Sequence, residues 1–176
     1  MRRFFMQYIL FFAILVIVGT YGSLAIGGYR INLTPSYPVG VYKIIEGEIA
    51  HGDFVIACPF PSALTVYARD KGYLFYGTCP GAYSTLLKQV MATPGDIVSR
   101  TQGHSLVVNG RTIPNSQFIH FAPHGLDLPL PPVGKVPKNE FWLLSDYRSD
   151  SFDSRYLGTF HRQNIVSKVV PVWIAK

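Results

Sequence analysis

Two hydrophobic patterns divide the chain. From Phe4 to Tyr29 no charged residue interrupts an apolar run. A helix needs about 20 apolar residues to cross a bilayer core, so the run predicts one transmembrane helix. Arg2 and Arg3 precede it. Basic flanks favour the cytoplasmic side, which sends the rest of the chain across the membrane. Two other readings compete. Ser23-Leu24-Ala25 loosely fits the cleavage pattern of a removable signal sequence, although the run exceeds the usual ~7–15 residues of such a core. A buried core helix is the third, and the lack of polar punctuation argues against it. The organisation adopted is a cytoplasmic tip and anchor over residues 1–30 and an exported domain over 31–176.

Beyond the anchor the pattern changes to short apolar, β-branched stretches separated by Gly and Pro. Residues 41–45, 54–58, 97–100, 105–108, 111–113, 141–144 and 165–174 read as strands. Asn109-Gly110 between two of them is a strong hairpin signal. Together they predict a mostly β domain. Residues 59–87 break the pattern and read as an insertion or flap, with helical turns over 62–71 capped by Ser62. Residues 121–139, rich in Pro and Gly, read as a long surface loop.

The formal net charge is +6. Its Lys and Arg are scattered without a cluster among aromatics, so nucleic acid is not an expected partner. Anionic lipid headgroups are. Cys58 and Cys79 form no metal-ligand pattern. They read either as a disulfide or as two buried thiols, and an oxidising compartment favours the disulfide. His120 and His124 have the spacing of ligands on a helix, but Pro123 disfavours that helix. No metal or other cofactor is implied. Asn32-Leu33-Thr34 matches a glycosylation sequon, given little weight because a modified Asn32 would crowd Ser36.

None of the five histidines stands in a recognisable serine–histidine–aspartate arrangement. A serine can instead be activated by a neutral lysine. That lysine must be buried, because desolvation lowers the amine pKa towards neutrality. Lys88 lies within Leu86-Leu87-Lys88-Gln89-Val90-Met91, the only charge between Lys71 and Asp96. A lysine snorkelling from a half-buried strand is the competing reading. Ser36 lies between Pro35 and Tyr37, with Pro38 following. The prolines restrict the backbone on both sides of its hydroxyl.

Several segments resemble the type I signal peptidases. Thr34-Pro35-Ser36-Tyr37-Pro38 is similar to their nucleophile box. Lys88-Gln89-Val90-Met91-Ala92-Thr93-Pro94-Gly95-Asp96 is similar to their lysine box. Val107-Val108-Asn109-Gly110 resembles the hairpin that follows it. Ser145-Asp146, continuing to Asp153-Ser154-Arg155-Tyr156-Leu157-Gly158, resembles their last signature box. The shorter Ser-Tyr-Pro spacing and the compact exported part resemble the TraF-type branch, the conjugative-transfer signal peptidases.

The resemblance implies a signal-peptidase-like β domain behind one anchor, in a bacterial inner membrane with the catalytic domain on the periplasmic face. It implies Ser36 as nucleophile and Lys88 as general base. The Ser36 N–H, helped by the Thr34 hydroxyl, would form the oxyanion hole, and Ser151 would orient Lys88. Asp153 and Arg155 would form a supporting ion pair, with Asp146 bracing the same turn. The implied substrate is a pilin precursor or another membrane-tethered preprotein. Some members of the branch also join the new ends into a ring. A general leader peptidase acting on many preproteins and a non-catalytic anchored scaffold of a secretion complex are the rival readings. The sequence sets no oligomeric state.

Overall fold

The computed structural model describes residues 2–119 and 130–175. Helix α1 (Arg2–Ile26) takes the apolar run. Its Met6–Ile26 stretch, 21 residues at a mean hydropathy of 2.4, is long and apolar enough to cross a membrane and packs into no core. The strands are β1 (Tyr29–Asn32), β2 (Gly40–Ile45), β3 (Phe54–Ala57), β4 (Tyr76–Cys79), β5 (Leu86–Ala92) and β6 (Ile97–Arg100). They continue with β7 (Leu106–Val108), β8 (Arg111–Thr112), β9 (Gly134–Lys135), β10 (Glu140–Leu144), β11 (Phe160–His161) and β12 (Ile165–Ile174). Helix α2 (Ala63–Asp70) follows β3, and α3 (Ser154–Leu157) follows β10. The protein is mostly β outside α1.

The larger sheet has the order β1-β2-β12-β3-β5-β10-β11, and the smaller one β8-β7-β6-β9. Strands β5 and β10 are largely buried on both faces, which explains why residues 141–144 of β10 read as a continuous apolar run. Val90 and Leu143 enter one core with Val55, Phe152, Tyr156 and Phe160. Met91, Ala92, Trp142 and Leu144 enter another with Val98, Leu106 and Val108. The chain leaves β7 for β8 through Asn109 and Gly110, both at positive φ (48° and 80°). That is the backbone a tight two-residue hairpin requires.

Where β2 meets the end of β12 the strands leave no room for a side chain: a Cβ on Gly40 would lie 2.2 Å from the Trp173 carbonyl oxygen. Pro171 is tolerated nearby because β3 pairs only as far as Val169, so no neighbour on that side needs its missing N–H.

The insertion folds as α2 and β4. Ser62 caps α2 in a reciprocal capping box with Thr65. Cys58 and Cys79 are joined as a disulfide that ties β4 to the end of β3. One expectation needs correction. Within the Pro-rich 121–139 stretch, Gly134 and Lys135 form β9 and pair with Val98 and Ile97 of β6. Two paired residues are too few to leave a period of two in the sequence. The earlier part of that stretch, with His120 and His124, lies outside the described residues.

Candidate active site

Ser36 sits half-buried in the turn joining β1 to β2. The side chains around it fix its backbone. Asn32 is buried at the end of β1, and its Nδ2 donates to the carbonyls of Thr34, Tyr37 and Pro38 at 2.9, 3.1 and 3.2 Å. Its Oδ1 accepts from the Thr34 N–H at 3.1 Å and the Thr34 hydroxyl at 2.7 Å. Ser145, fully buried at the end of β10, donates its hydroxyl to the Ser36 carbonyl.

Tyr37 provides the third clamp. Its ring packs edge-on against Phe54. Its hydroxyl donates to Asp146 Oδ1 at 2.9 Å and lies 3.2 Å from the Leu144 carbonyl. Burial, and the Asp146 charge beside it, push the phenol well above its ordinary range, so it stays a neutral donor. Tyr37→Phe removes these bonds but keeps the ring packing. It is expected to cost about 1 kcal/mol of stability and to lower kcat about tenfold with little change in KM. Urea unfolding and steady-state kinetics check both.

Lys88 is the third residue of β5 and is 1% exposed. On one side it pairs with Val55 of β3. On the other, β10 reaches only as far as Gln89, leaving an open edge. The segment after β10 crosses this gap, and Lys88 Nζ donates to Ser151 Oγ at 2.7 Å. Burial lowers the amine to about 8, with Asp153 and Asp150 pulling it up and Arg155 pushing it down.

Asp153 and Arg155 are a fully buried ion pair, Oδ1 to Nε 2.8 Å. Asp153 also accepts from the Ser145 N–H at 3.0 Å and from the Arg155 N–H at 3.1 Å. Arg155 donates to the carbonyls of Asn115, Ser149 and Ser145 at 2.6–2.8 Å. The Asn115 amide in turn reaches the Asp146 carbonyl at 2.7 Å. The pair therefore shapes the segment that carries Ser145, Asp146 and Ser151.

Ser36, Thr34, Lys88 and Ser151 line one cleft of about 190 Å³. The insertion contributes Gly72, Tyr73, Phe75 and Ser84 to its wall. A second cavity of about 500 Å³ adjoins it through Thr34, Thr85 and Leu87, with Tyr42, Ile44 and Ile56 as apolar lining. The cleft thus brings together a serine hydroxyl, a low-pKa amine and space for an extended peptide. That set suits acyl transfer.

The Thr34 hydroxyl, expected to help form the oxyanion hole, lines the cleft and bonds Asn32 Oδ1 in the substrate-free protein. A hydroxyl has one proton, and this one is directed at Asn32 Oδ1. Four residues went unrecognised as site residues: Asn32 and Tyr37 in the loop, and Ser145 and Asn115 beneath it. Tyr37 and Ser145 stand inside the segments that carry the family resemblance, which was the signal available for them; Asn32 and Asn115 had none of that kind.

The sequence model described as signal peptidase, peptidase S26, matches residues 2–174. The conjugal transfer protein TraF of Agrobacterium tumefaciens (strain 15955) is 38% identical over 149 residues, covering 84% of this chain and 83% of the relative. A probable conjugal transfer protein TraF of Sinorhizobium fredii (strain NBRC 101917 / NGR234) is 41% identical over 145 residues, 80% of this chain and 74% of the relative. Among solved structures, a signal peptidase I from Enterococcus faecalis V583 aligns with a TM-score of 0.41 at 14% identity, covering 70% of this chain and 98% of that one.

Proposed function

The chain belongs to the signal peptidase family, peptidase S26, and from that premise we propose that it is a membrane-anchored serine endopeptidase that processes a pilin precursor for conjugative transfer. One observation carries the enzymatic reading: a buried Lys88 amine, with a pKa near 8, shares a cleft with Ser36. A lysine in a non-catalytic scaffold has no need of that environment.

This assignment implies the following chemistry. Ser36 Oγ attacks the scissile carbonyl while neutral Lys88 takes its proton. Ser151 holds the amine in place. The Ser36 N–H stabilises the developing oxyanion. Lys88 then returns the proton to the departing amine, leaving an ester on Ser36. Water or a second amine resolves the ester and regenerates the serine. If the substrate's own N-terminus is held close, its effective molarity exceeds that of ~55 M water, and the product is a ring. The conjugative substrate is favoured over a general set of preproteins because relatives matched over most of the chain are conjugal transfer proteins. With Arg2 and Arg3 inside and α1 retained as a span, this reading has the domain on the periplasmic side of a bacterial inner membrane, serving a type IV secretion apparatus.

Mass spectrometry of the precursor after incubation with the full chain in membranes tests this reading. A product cut at one site supports it, and a ring is one water lighter than the linear peptide. Intact precursor, or cleavage of many unrelated preproteins, contradicts it.

The pH profile is a separate expectation. Catalysis needs the neutral amine, so kcat/KM is expected to rise with pH through about 8. Folding stability moves in the same direction. The folded pKa lies below the ~10.4 of an unfolded lysine, so the unfolded chain holds the extra proton between those values. Stability from this group therefore increases as pH climbs from about 8 towards ~10 and is lowest below that window. Lys88→Met is expected to remove this stability dependence, which urea unfolding at about pH 7 and about pH 9.5 checks.

A further inference from the structure

Acyl transfer handles two amines, the one that departs from the scissile bond and the one that can resolve the ester. Lys88 hands a proton to the departing amine, so that half of the substrate leaves past its Nζ. By microscopic reversibility an incoming amine arrives along the same path. Lys88 Nζ meets Ser151 Oγ, and the residue before Ser151 is Asp150.

Among the described residues lining the cleft, Asp150 is the one carboxylate and Lys88 the one amine. The charge of Asp150 reaches Lys88 and opposes the effect of burial there. Arg148, which does not line the cleft, holds the carboxylate in place: its Nε and Nη2 donate to the two oxygens at 2.8 and 2.6 Å. It takes one position on each oxygen, and a carboxylate offers about four. The same bonds hold the acid below its ordinary range, so it stays an anion. The side chain is 55% exposed and open to a ligand.

The insertion supplies an apolar partner. Phe75 lines the same cleft and is 60% exposed, between the buried Leu74 and strand β4. Its backbone is fixed, because its carbonyl accepts from the Ser84 N–H at 2.7 Å. Tyr73 stacks on Phe152 with ring centroids 5.9 Å apart, and Phe152 stacks on Tyr156 at 5.5 Å. That column docks the insertion on the segment carrying Asp150. Phe75 and Asp150 each stand two residues from it along the chain. Neither belongs to the adjoining larger cavity. A carboxylate and a phenyl ring match the two parts of a peptide N-terminus, its ammonium and its first side chain.

We propose that the cleft binds a peptide N-terminus, with its ammonium on Asp150 and its first side chain on Phe75. The inference rests on the reading of Ser36 and Lys88 as an acyl-transfer pair. The amine is held there while the acyl group is on Ser36. An ordinary α-amino group has a pKa of ~7.7–8.0, so both its forms are present where Lys88 becomes neutral. The bound ammonium releases one proton to water. Its lone pair then forms the new C–N bond at the ester carbonyl. Neutral Lys88 takes a second proton from that nitrogen and delivers it to Ser36 Oγ as the C–O bond breaks. Ester and ammonium become amide, free serine and one proton in solvent. A held amine has a high effective molarity, so the site directs the ester towards ligation rather than hydrolysis.

The experiment uses the full chain in detergent with a precursor whose own N-terminus is acetylated, which leaves the ester to added nucleophiles. Leucinamide, glycinamide and hydroxylamine are the probes, the last being neutral near pH 8, and products are counted by mass. Wild type is expected to divide the ester between acid and leucinamide adduct along a saturating curve. Asp150→Asn is expected to fold like the parent, because an exposed ion pair contributes little. It should raise the half-saturating leucinamide concentration about tenfold, the scale of one hydrogen bond to a charged group, and leave the hydroxylamine share unchanged. Phe75→Ser should raise that concentration for leucinamide and not for glycinamide. An adduct that grows without saturation, a curve unmoved by Asp150→Asn, or an equal loss with hydroxylamine overturns the site. In each case the ester on Ser36 still forms, and the acyl-transfer reading stands. Failure to form any ester on Ser36 overturns that reading and the site with it.

Discussion

Replacing Ser36 by alanine is expected to lower precursor processing by about 10⁴-fold or more, as removal of a nucleophile does in other serine hydrolases. Lys88→Met should do the same, and the comparison is informative. Methionine nearly conserves the volume of the lysine stem, and such swaps in a core usually cost less than ~1.5 kcal/mol. Lys88 is buried without an ion-pair partner among the described residues, so removing its amine takes no cation from a carboxylate. Ser151 loses one bond. Lys88→Met should therefore stay folded, with an unfolding midpoint close to that of the parent, yet be inactive. Activity retained in folded Lys88→Met contradicts a lysine base. Activity retained in Ser36→Ala reduces the β1–β2 loop to a linker.

Asp153→Ala is expected to act on the fold first. Its carboxylate is fully buried and meets the Arg155 guanidinium through both oxygens, at 2.8 and 3.1 Å. Removing one partner of such a pair leaves an uncompensated buried charge and costs about 3–5 kcal/mol. That is a large part of the ~5–15 kcal/mol that holds a domain together. The Ser145 N–H and the Arg155 N–H lose their acceptor as well. A loss of this size in urea unfolding is the expected result. Because Ser145 anchors the Ser36 carbonyl, residual activity should show a lowered kcat even where the protein is folded. An unchanged unfolding midpoint contradicts the structural role.

The parts legible in the sequence were those with a local cause. The apolar run of α1 has a length, and Asn109-Gly110 has a backbone requirement. Lys88 stood out because β5 is buried on both faces, so any charge there is conspicuous. The Ser62 cap likewise lies next to the helix it starts. The parts that were not legible depend on partners far apart in the chain. Tyr37 meets Asp146 and Ser36 meets Ser145, in each case 109 residues away, and hydrogen bonds of that kind leave no periodic trace. Asn32 was noticed only as a sequon. Its real position, with one amide serving four backbone groups of the Ser36 loop and a hydroxyl, depends on how that loop closes. The bond between the Thr34 hydroxyl and Asn32 was hidden for the same reason, since the spacing Thr-x-Ser does not record which acceptor lies nearest.

The most direct measurement is the intact mass of the protein during turnover, quenched in acid with precursor in excess and followed by peptide mapping. An ester of the substrate's acyl portion is expected on the peptide containing Ser36, absent from Ser36→Ala and labile to hydroxylamine. Its formation should slow below pH 8, as Lys88 gains its proton. Processed product without any adduct on Ser36, and with the same yield from Ser36→Ala, contradicts acyl transfer through this serine.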